Sequence, residues 1–141
     1  MNSRRYWRKK LRPRKNSVSN ISKKSQNGLE IKFGTLLNDL GIKFVPQYIV
    51  SSPNGVVRRR YDFYIPSTNT LIEVDGDYYH CNPIKYPTGP KYEIQKRNMA
   101  NDKFKNKLAA RHGYKIIRFW EHDIMNKQSM VCETLKKSKR P

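Results

Sequence analysis

Acidic side chains and one histidine are concentrated in the middle of the chain, at Asp62, Glu73, Asp75 and His80. Carboxylates held close together repel one another and raise one another's pKa unless a cation neutralises them. Carboxylate oxygens, with a backbone carbonyl such as that of Val74, suit Mg²⁺, and such an ion can orient a water molecule and polarise a phosphodiester. The pattern therefore indicates a hydrolytic site with a divalent metal. Its alternative is a set of surface acids on a half-exposed sheet.

The elements that must position these residues are two short strands joined by a turn. Residues 61–65 are aromatic and β-branched, residues 71–75 alternate apolar with acidic side chains, and residues 66–69 have turn composition. Because side chains alternate between the faces of a strand, Glu73 and Asp75 should share one face of the sheet. If the strands pair as a hairpin, Asp62 can join them. Apolar residues would then fill the opposite face: Phe63, Ile65, Ile72 and Val74.

Helical and strand patterns on both sides of the hairpin predict an α/β (α+β) fold, a mixed β-sheet flanked by helices. The predicted elements are a helix over 28–40, strand pieces at 42–45 and 47–50, a proline-rich loop at 81–90, a helix over 91–112, a strand over 114–120 and a helix over 124–137. Residues 1–27 form a basic arm that is either solvated and disordered or ordered along DNA. Residues 28–141 form one core domain.

The charge of the chain indicates its partner. Its 141 residues include 30 lysines and arginines against 11 acidic residues, a formal net charge of +19. The polyanion that matches this charge is nucleic acid. No apolar stretch approaches the roughly 18 residues of a membrane span, so we expect no membrane partner. Two cysteines, Cys81 and Cys132, are too few for a disulfide framework and suggest a reducing, cytoplasmic setting.

Four short segments carry a resemblance to a known superfamily. They contain Glu30 in NGLEIKFG, Asp62 in RRRYDFYIP, His80 in IEVDGDYYH and Asp102 in RNMANDKFKNK, and GYKIIRFWEHDI follows. In this order and spacing they resemble the PD-(D/E)XK nuclease superfamily. Within it they look most like the branch that contains the very-short-patch repair endonucleases and the EDxHD phage homing endonucleases. The resemblance covers about residues 28–124.

The resemblance implies a role for each matching residue. Asp62 would be the main ligand of Mg²⁺, for which Mn²⁺ can substitute, and Glu73 with the Val74 backbone would complete the metal site. His80 would act as general acid or base, or contact the scissile phosphate. Two further carboxylates, Glu30 and Asp102, would orient the histidine or metal-bound waters.

The chain departs from the resemblance at two places. Asp75 stands where the superfamily usually has a lysine, which puts more weight on His80 as the group that moves protons. The mismatch-repair enzymes also hold a structural zinc. Here the matching positions carry Asp77, Asn82, Ile84 and His122, which cannot form a tetrahedral Cys/His site. We therefore expect no structural zinc.

Contacts to double-stranded DNA are expected from the cationic segments and from two tyrosines. Tyr78 and Tyr79 stand where the mismatch endonucleases carry aromatics that wedge into the base stack. The full set of expected DNA contacts is Arg4, Arg5, Trp7, Arg8, Arg58, Arg59, Arg60, Tyr78, Tyr79, Asn98, Lys105 and Arg118.

The resulting expectation is a Mg²⁺-dependent DNA endonuclease, of the homing type found in phages and mobile elements. Mismatch nicking and restriction are the alternatives within this class. A non-catalytic RNA- or DNA-binding protein is the alternative outside it, since composition fits that class equally well. Monomer and homodimer both remain open at this point.

Overall fold

A computed structural model of the chain describes residues 27–138. Four strands and four helices follow one another: α1 (Gly28–Asp39), β1 (Val45–Ser51), β2 (Arg58–Ile65), β3 (Thr70–Asp75), α2 (Glu93–Arg111), β4 (Lys115–Trp120), α3 (Glu121–Asn126) and α4 (Gln128–Ser138). The predicted arm, except Asn27, lies outside the described residues, and so do the expected DNA contacts Arg4, Arg5, Trp7 and Arg8. No helix among residues 27–138 is long and apolar enough to cross a membrane.

The strands form one mixed sheet in the order β1-β2-β3-β4. β1, β2 and β3 pair antiparallel, whereas β4 lies parallel to β3, with α2 as the crossover between them. The two faces of this sheet carry separate apolar clusters. The larger cluster packs α1, α3 and α4 on one face, and the smaller cluster packs α2 on the other. The prediction of a mixed sheet flanked by helices is therefore confirmed.

The apolar face predicted for the central hairpin is also confirmed. Phe63, Ile65, Ile72 and Val74 all belong to the larger cluster, where Phe33 of α1 packs its ring 5.4 Å from that of Phe63. A cluster of this kind supplies most of the hydrophobic stabilisation that a domain of this size requires. It also fixes α1 against the sheet, which determines where the first turn of that helix lies.

Local sequence signals set the ends of α1. The Asn27 side chain accepts a hydrogen bond from the Glu30 amide at 2.9 Å, as an N-cap does. At the other end Gly41 has a φ of +67°, the left-handed conformation that glycine adopts without steric cost. This start places Glu30 in the first turn, where its side chain is buried.

Two sequence expectations about the elements were wrong in detail. The strand piece expected at 42–45 does not form, because residues 42–44 lie outside any strand; Val45 and the piece at 47–50 belong to the single edge strand β1, within which Pro46 fits because an edge strand tolerates a missing donor. The helix expected over 124–137 is two helices. Lys127, with φ −131° and ψ 47°, leaves helical geometry between α3 and α4, and the Asn126 side-chain amide donates to the carbonyl of His122 at 3.0 Å in the last turn of α3.

Candidate active site

The candidate site lies where β2 and β3 separate. Their pairing runs from Ile65 to Phe63 and stops at Asp62. Beyond that point, hydrogen bonds between side chains and the backbone replace the backbone–backbone hydrogen bonds that join the two strands. The Asp62 amide donates to Glu73 Oε1 at 3.0 Å, and the Val74 amide donates to Asp62 Oδ2 at 2.8 Å. These two bonds hold the carboxylates of Asp62 and Glu73 side by side.

The regular alternation of β2 is interrupted at the same residue. Tyr61 packs in the cluster beneath α2, whereas Phe63, two residues later, packs in the cluster on the opposite face. On the neighbouring strand Gln47 has a φ of +53°, and no pair joins it to Asp62 in the register of β1 with β2. Irregularities of this kind redirect a side chain within a sheet. Here the irregularity separates Asp62 from the regular ladder.

A cleft opens over this point, between the first turn of α1 and the side of α2. Its acidic lining residues are Glu30, Asp62, Glu73, Asp102 and Glu121. Arg60, Lys105 and His80 line it as well. The structure therefore brings together six of the predicted site residues, counting the backbone of Val74. Asp75 is the exception, because it is buried and does not line the cleft.

Burial and mutual repulsion make the carboxylates of this cleft hard to ionise. Burial and the charge of Glu73 raise the pKa of Asp62 to about 7, and the positive charge of Lys105 lowers it only weakly. Burial also raises the pKa of Glu73, although Lys105 opposes the effect. A bound cation would favour the charged forms, so the cleft is suited to one.

Lys105 already neutralises part of the acidic cluster. Its Nζ lies 2.6 Å from Glu73 Oε2 and 4.7 Å from the centre of the Tyr61 ring. The Tyr61 hydroxyl in turn donates to the Lys105 carbonyl at 2.7 Å. We expected Lys105 to contact DNA, but it is buried and its charge is directed at Glu73. A DNA contact by Lys105 stays a prediction.

Arg118 neutralises a second part of the cluster. Its Nη1 lies 3.1 Å from each carboxylate oxygen of Asp75, 3.4 Å from Asp102 Oδ1 and 3.8 Å from Glu73 Oε2. Glu73 and Asp75 thus share one face, as their alternation predicts. The expectation that these acids need a metal ion for neutralisation was incomplete, because Lys105 and Arg118 supply positive charge from within the protein.

His80 forms a short hydrogen bond with a carboxylate of α2. Its Nδ1 lies 2.7 Å from Asp102 Oδ2 and 3.7 Å from Asp75 Oδ1. Burial lowers the pKa of His80, but the bond to Asp102 and the charge of Asp75 more than offset this, so its pKa is raised above 6.5. Because Nδ1 is engaged, Nε2 is the nitrogen that can exchange a proton with a substrate.

The group Asp75, His80 and Asp102 has ligand atoms within 4.8 Å of one another, a spacing that could itself hold a metal ion. Arg118 lies between the two carboxylates of this group, and burial raises the pKa of Asp75 despite that partner. A cation there would have to share its ligands with the guanidinium. The donor set around Asp62 suits a hard divalent ion better.

Glu30 reaches the cleft from α1. Gln47 donates from Nε2 to Glu30 Oε2 at 2.7 Å, so the residue of β1 with positive φ also fixes this carboxylate. The charge of Glu30 contributes to the raised pKa of Asp62. Gln47 is a site residue that sequence reasoning missed; the signal that could have found it was the neighbouring Pro46, since proline within a strand occurs at edges and bulges.

A polar stripe on α2 faces the site. It consists of Gln95, Asn98, Asp102 and Lys105, spaced three, four and three residues apart, which places them on one side of a helix. Asn98, Asp102 and Lys105 were expected from sequence, but Gln95 was not. The signal that could have found it was this spacing, continued one turn towards the start of α2.

The remaining expected DNA contacts lie around the cleft. Tyr78 and Tyr79 line it with 41% and 58% of their surfaces exposed, and their ring centroids lie 5.1 Å apart. Arg58 is exposed, Arg60 lines the cleft, and the guanidinium of Arg59 lies 4.6 Å from the centre of the Phe104 ring.

The positions compared with a zinc site carry a hydrogen-bonded group instead. Asp77 Oδ1 accepts from Asn82 Nδ2 at 2.8 Å and from the His122 amide at 3.3 Å, and Lys85 Nζ lies 3.3 Å from Asp77 Oδ2. Ile84 is 69% exposed. These contacts fasten the segment after β3 to the start of α3. The absence of a zinc ion stays a prediction.

Comparison of the sequence with protein-family profiles and with curated proteins gives no match. Comparison with solved structures finds the catalytic domain of the homing endonuclease I-Bth0305I, with a TM-score of 0.55 and 18% identity over 80% of this chain and 94% of that one. It also finds the 5-hydroxymethylcytosine-specific restriction enzyme AbaSI, at a TM-score of 0.46 and 20% identity over 88% of this chain and 46% of that one. The second similarity is too low to support an argument. The first shows that this chain shares its fold with the catalytic domain of a homing endonuclease.

Proposed function

We propose that this protein is a DNA endonuclease that uses Mg²⁺, or Mn²⁺ in its place, to hydrolyse phosphodiesters. One observation carries the proposal. Asp62 and Glu73 meet in an acidic cleft beside the His80–Asp102 pair, within a chain whose net charge is +19. Lys105 and Arg118 neutralise only part of this acidic cluster, and the remaining negative charge would repel phosphate at the centre of a surface that only binds nucleic acid. A metal ion held by these carboxylates would remove that conflict.

The residues present fit such an ion. Asp62 keeps one carboxylate oxygen, Oδ1, outside its bond to the Val74 amide, and burial and the charge of Glu73 raise its pKa to about 7, a cost that a bound cation would relieve. Asp62 and the Val74 carbonyl would hold the ion. Glu73 has one oxygen on the Asp62 amide and one on Lys105, so its part is to orient Asp62. When bound, Mg²⁺ polarises the scissile phosphate and makes its water a better nucleophile.

His80 is the residue that would move a proton. Asp102 fixes its ring through Nδ1, and the hydrogen bond to Asp102 and the charge of Asp75 raise the pKa of His80, which favours the protonated imidazole. Nε2 can then donate to the oxygen that leaves phosphorus, or bind a phosphate oxygen. Arg118 contacts the carboxylates of both Asp75 and Asp102 and so holds them in place beside the histidine.

Phosphate contacts would come from exposed cations of α2, on the side of the helix turned away from the polar stripe that faces the site. Exposed cations follow one side of α2 at helical spacing, at Lys96, Lys103, Lys107 and Arg111. A stripe of this kind binds the DNA backbone without reading sequence. Tyr78 and Tyr79, at the mouth of the cleft, would contact bases beside the scissile phosphate, as expected from sequence.

A homing-type role in a phage or mobile element, acting in the cytoplasm of a host cell, is the most specific form of this proposal. Two observations support it: the order of Glu30, Asp62, His80 and Asp102 in the sequence, and the fold shared with a homing endonuclease catalytic domain. Mismatch nicking and restriction require the same chemistry. Sequencing the ends of cleaved DNA would separate these roles, because it reports the site, the strand and the polarity together.

The test is cleavage of supercoiled plasmid with Mg²⁺ and with EDTA, using Asp62→Asn and a matched control. Asp39→Asn makes the same charge change at an exposed position at the far end of α1. We expect Mg²⁺-dependent nicking by the wild type and by Asp39→Asn. Asp62→Asn should bind DNA at least as tightly as the wild type, because it loses a negative charge, but should not cleave it. Binding without cleavage by the wild type itself would favour a non-catalytic nucleic-acid-binding protein.

A further inference from the structure

Three successive residues of the turn after β3 are each bound by a side chain from α2. Gln95 Nε2 donates to the Tyr78 carbonyl at 2.8 Å. One turn later Asn98 Nδ2 donates to the Tyr79 carbonyl at 2.9 Å. One turn further, Asp102 bonds to the His80 ring. The turn therefore runs alongside α2, and each of its residues 78–80 is bound by a side chain from a successive turn of that helix.

Gln95 is the most deeply buried member of this series. Its side chain has no exposed surface, although a neutral amide is costly to bury without partners. It makes three hydrogen bonds. Besides donating to Tyr78, it accepts at Oε1 from the amides of Lys91 at 2.8 Å and Tyr92 at 3.2 Å. Gln95 thus joins the start of α2 to the turn that carries the histidine.

The turn requires such support. Cys81, directly after His80, has a φ of +59°, a conformation that costs free energy in a residue other than glycine. Such a conformation persists only when its surroundings fix it. On the far side, Asp77 fastens the turn to Asn82 and to the amide of His122. On the near side, Gln95 bonds it to the helix that carries Asp102.

We propose that Gln95 is a positioning residue for His80, an inference that rests on the proposed function. Its bond to the Tyr78 carbonyl fixes the backbone of residues 78–80 at one position along the axis of α2. At that position the His80 ring meets Asp102. Loss of the bond lets the turn shift along the helix. His80 then loses its alignment with Asp102 and with the bound phosphate, while the cationic surface that binds DNA is unchanged.

The first variant is Gln95→Met, which keeps the approximate length of the side chain and removes all three hydrogen bonds. Displacements of about 1 Å in a catalytic group can cost about 100-fold in rate. We expect single-turnover cleavage at saturating protein to slow by roughly 10- to 100-fold. The dissociation constant for DNA, which depends mainly on phosphate contacts, should change by less than about threefold.

Gln95→Glu supplies the rescue. Its carboxyl group accepts from the same two amides at any pH, but it can donate to the Tyr78 carbonyl only when protonated. Burial favours the protonated form. The cleavage rate relative to wild type at the same pH should therefore recover as the pH falls from about 9 to about 6. Gln95→Met should show no such recovery. Gln128→Glu, which adds the same charge at an exposed position of α4, should match the wild type throughout.

A nuclear magnetic resonance measurement separates this inference from the proposed function. In the wild type the proton between His80 Nδ1 and Asp102 should resonate far downfield, and in Gln95→Met that signal should shift or disappear. A wild type that never cleaves DNA would refute the proposed function and leave this readout intact. An unchanged signal, or unchanged cleavage by a folded Gln95→Met protein, would overturn the positioning role. If that variant does not fold, Gln95→Glu carries the test, and a cleavage rate relative to wild type that does not recover as the pH falls would overturn the positioning role.

Discussion

Replacing Asp62 by asparagine should stabilise the metal-free protein at neutral and alkaline pH, although it removes the proposed metal ligand. Asp62 is buried next to Glu73, and its carboxylate is unfavourable in the absence of a cation. Asparagine has nearly the same shape, and its side-chain oxygen can still accept the bond from the Val74 amide. The substitution therefore removes a repulsive charge and keeps the local hydrogen bond.

The size of the effect follows from the pKa. Burial and Glu73 raise the pKa of Asp62 from 3.8 to about 7. Each pH unit of this difference corresponds to about 1.4 kcal/mol, so ionised Asp62 costs the folded state at most about 4 kcal/mol. Asp62 and Glu73 titrate as a pair, so part of this cost stays with Glu73. We therefore expect asparagine to raise the free energy of unfolding by about 2–4 kcal/mol at pH 8.

The sign of the pH dependence is fixed by the direction of the shift. Because the folded-state pKa lies above the unfolded value, the stability contributed by protonated Asp62 is complete below about pH 4. It is lost as the pH rises towards 7. The difference between Asp62→Asn and wild type should therefore be near zero at about pH 4 and grow to its full value near pH 7.

The assay is urea unfolding of both proteins with EDTA present, repeated across this pH range. Asp39→Asn, which changes an exposed carboxylate, is the control and should stay within about 0.5 kcal/mol of wild type. Mg²⁺ should then stabilise the wild type and not Asp62→Asn, since a ligand stabilises only the state that binds it. A stability difference that is absent at pH 8, or equal at all pH values, would refute the electrostatic reasoning.

Three further predictions concern other parts of the site. Lys105→Met should lower the free energy of unfolding by about 3–5 kcal/mol in urea unfolding, because it leaves Glu73 buried without its partner. Wild-type stability in that variant would contradict the ion pair. His80→Ala should slow single-turnover cleavage by about 100-fold or more and leave DNA affinity nearly unchanged; a small loss of rate would exclude proton transfer by His80. Lys103→Gln with Lys107→Gln should reduce the slope of log affinity against log salt concentration by about 2 in a filter-binding assay, and an unchanged slope would place DNA elsewhere.

Alternation and turn chemistry were sufficient to predict the central hairpin. The apolar residues of 61–65 and 71–75 identify which face packs on the core, and that face is the one observed. Alternation could not predict the irregularity at Asp62 and Gln47. Both residues leave regular strand geometry because side-chain hydrogen bonds to Glu73, Val74 and Glu30 replace backbone pairing there. Those partners are distant in the sequence.

The sequence was sufficient to predict the acidic residues of the candidate site, but not the roles of its lysine and arginine residues. In a basic chain, the sequence does not distinguish a lysine or arginine that contacts DNA from one that forms a buried ion pair. Lys105 and Arg118 became partners of Glu73 and Asp75 only because α2 and β4 pack beside β3. Gln95 was missed for a related reason, since a buried amide on a helix interrupts the apolar stripe used to recognise it.

The most direct test of the account is to locate a bound Mn²⁺ ion by the broadening of backbone amide resonances in the metal-free protein. The account predicts that small additions of Mn²⁺ broaden the amide signals of Asp62 and Val74 first, and that Asp62→Asn abolishes this effect. Broadening centred on another part of residues 27–138, such as the acids of α3, would contradict it. So would unchanged broadening at Val74 in Asp62→Asn, because the ion would then bind without the carboxylate on which the proposed chemistry depends.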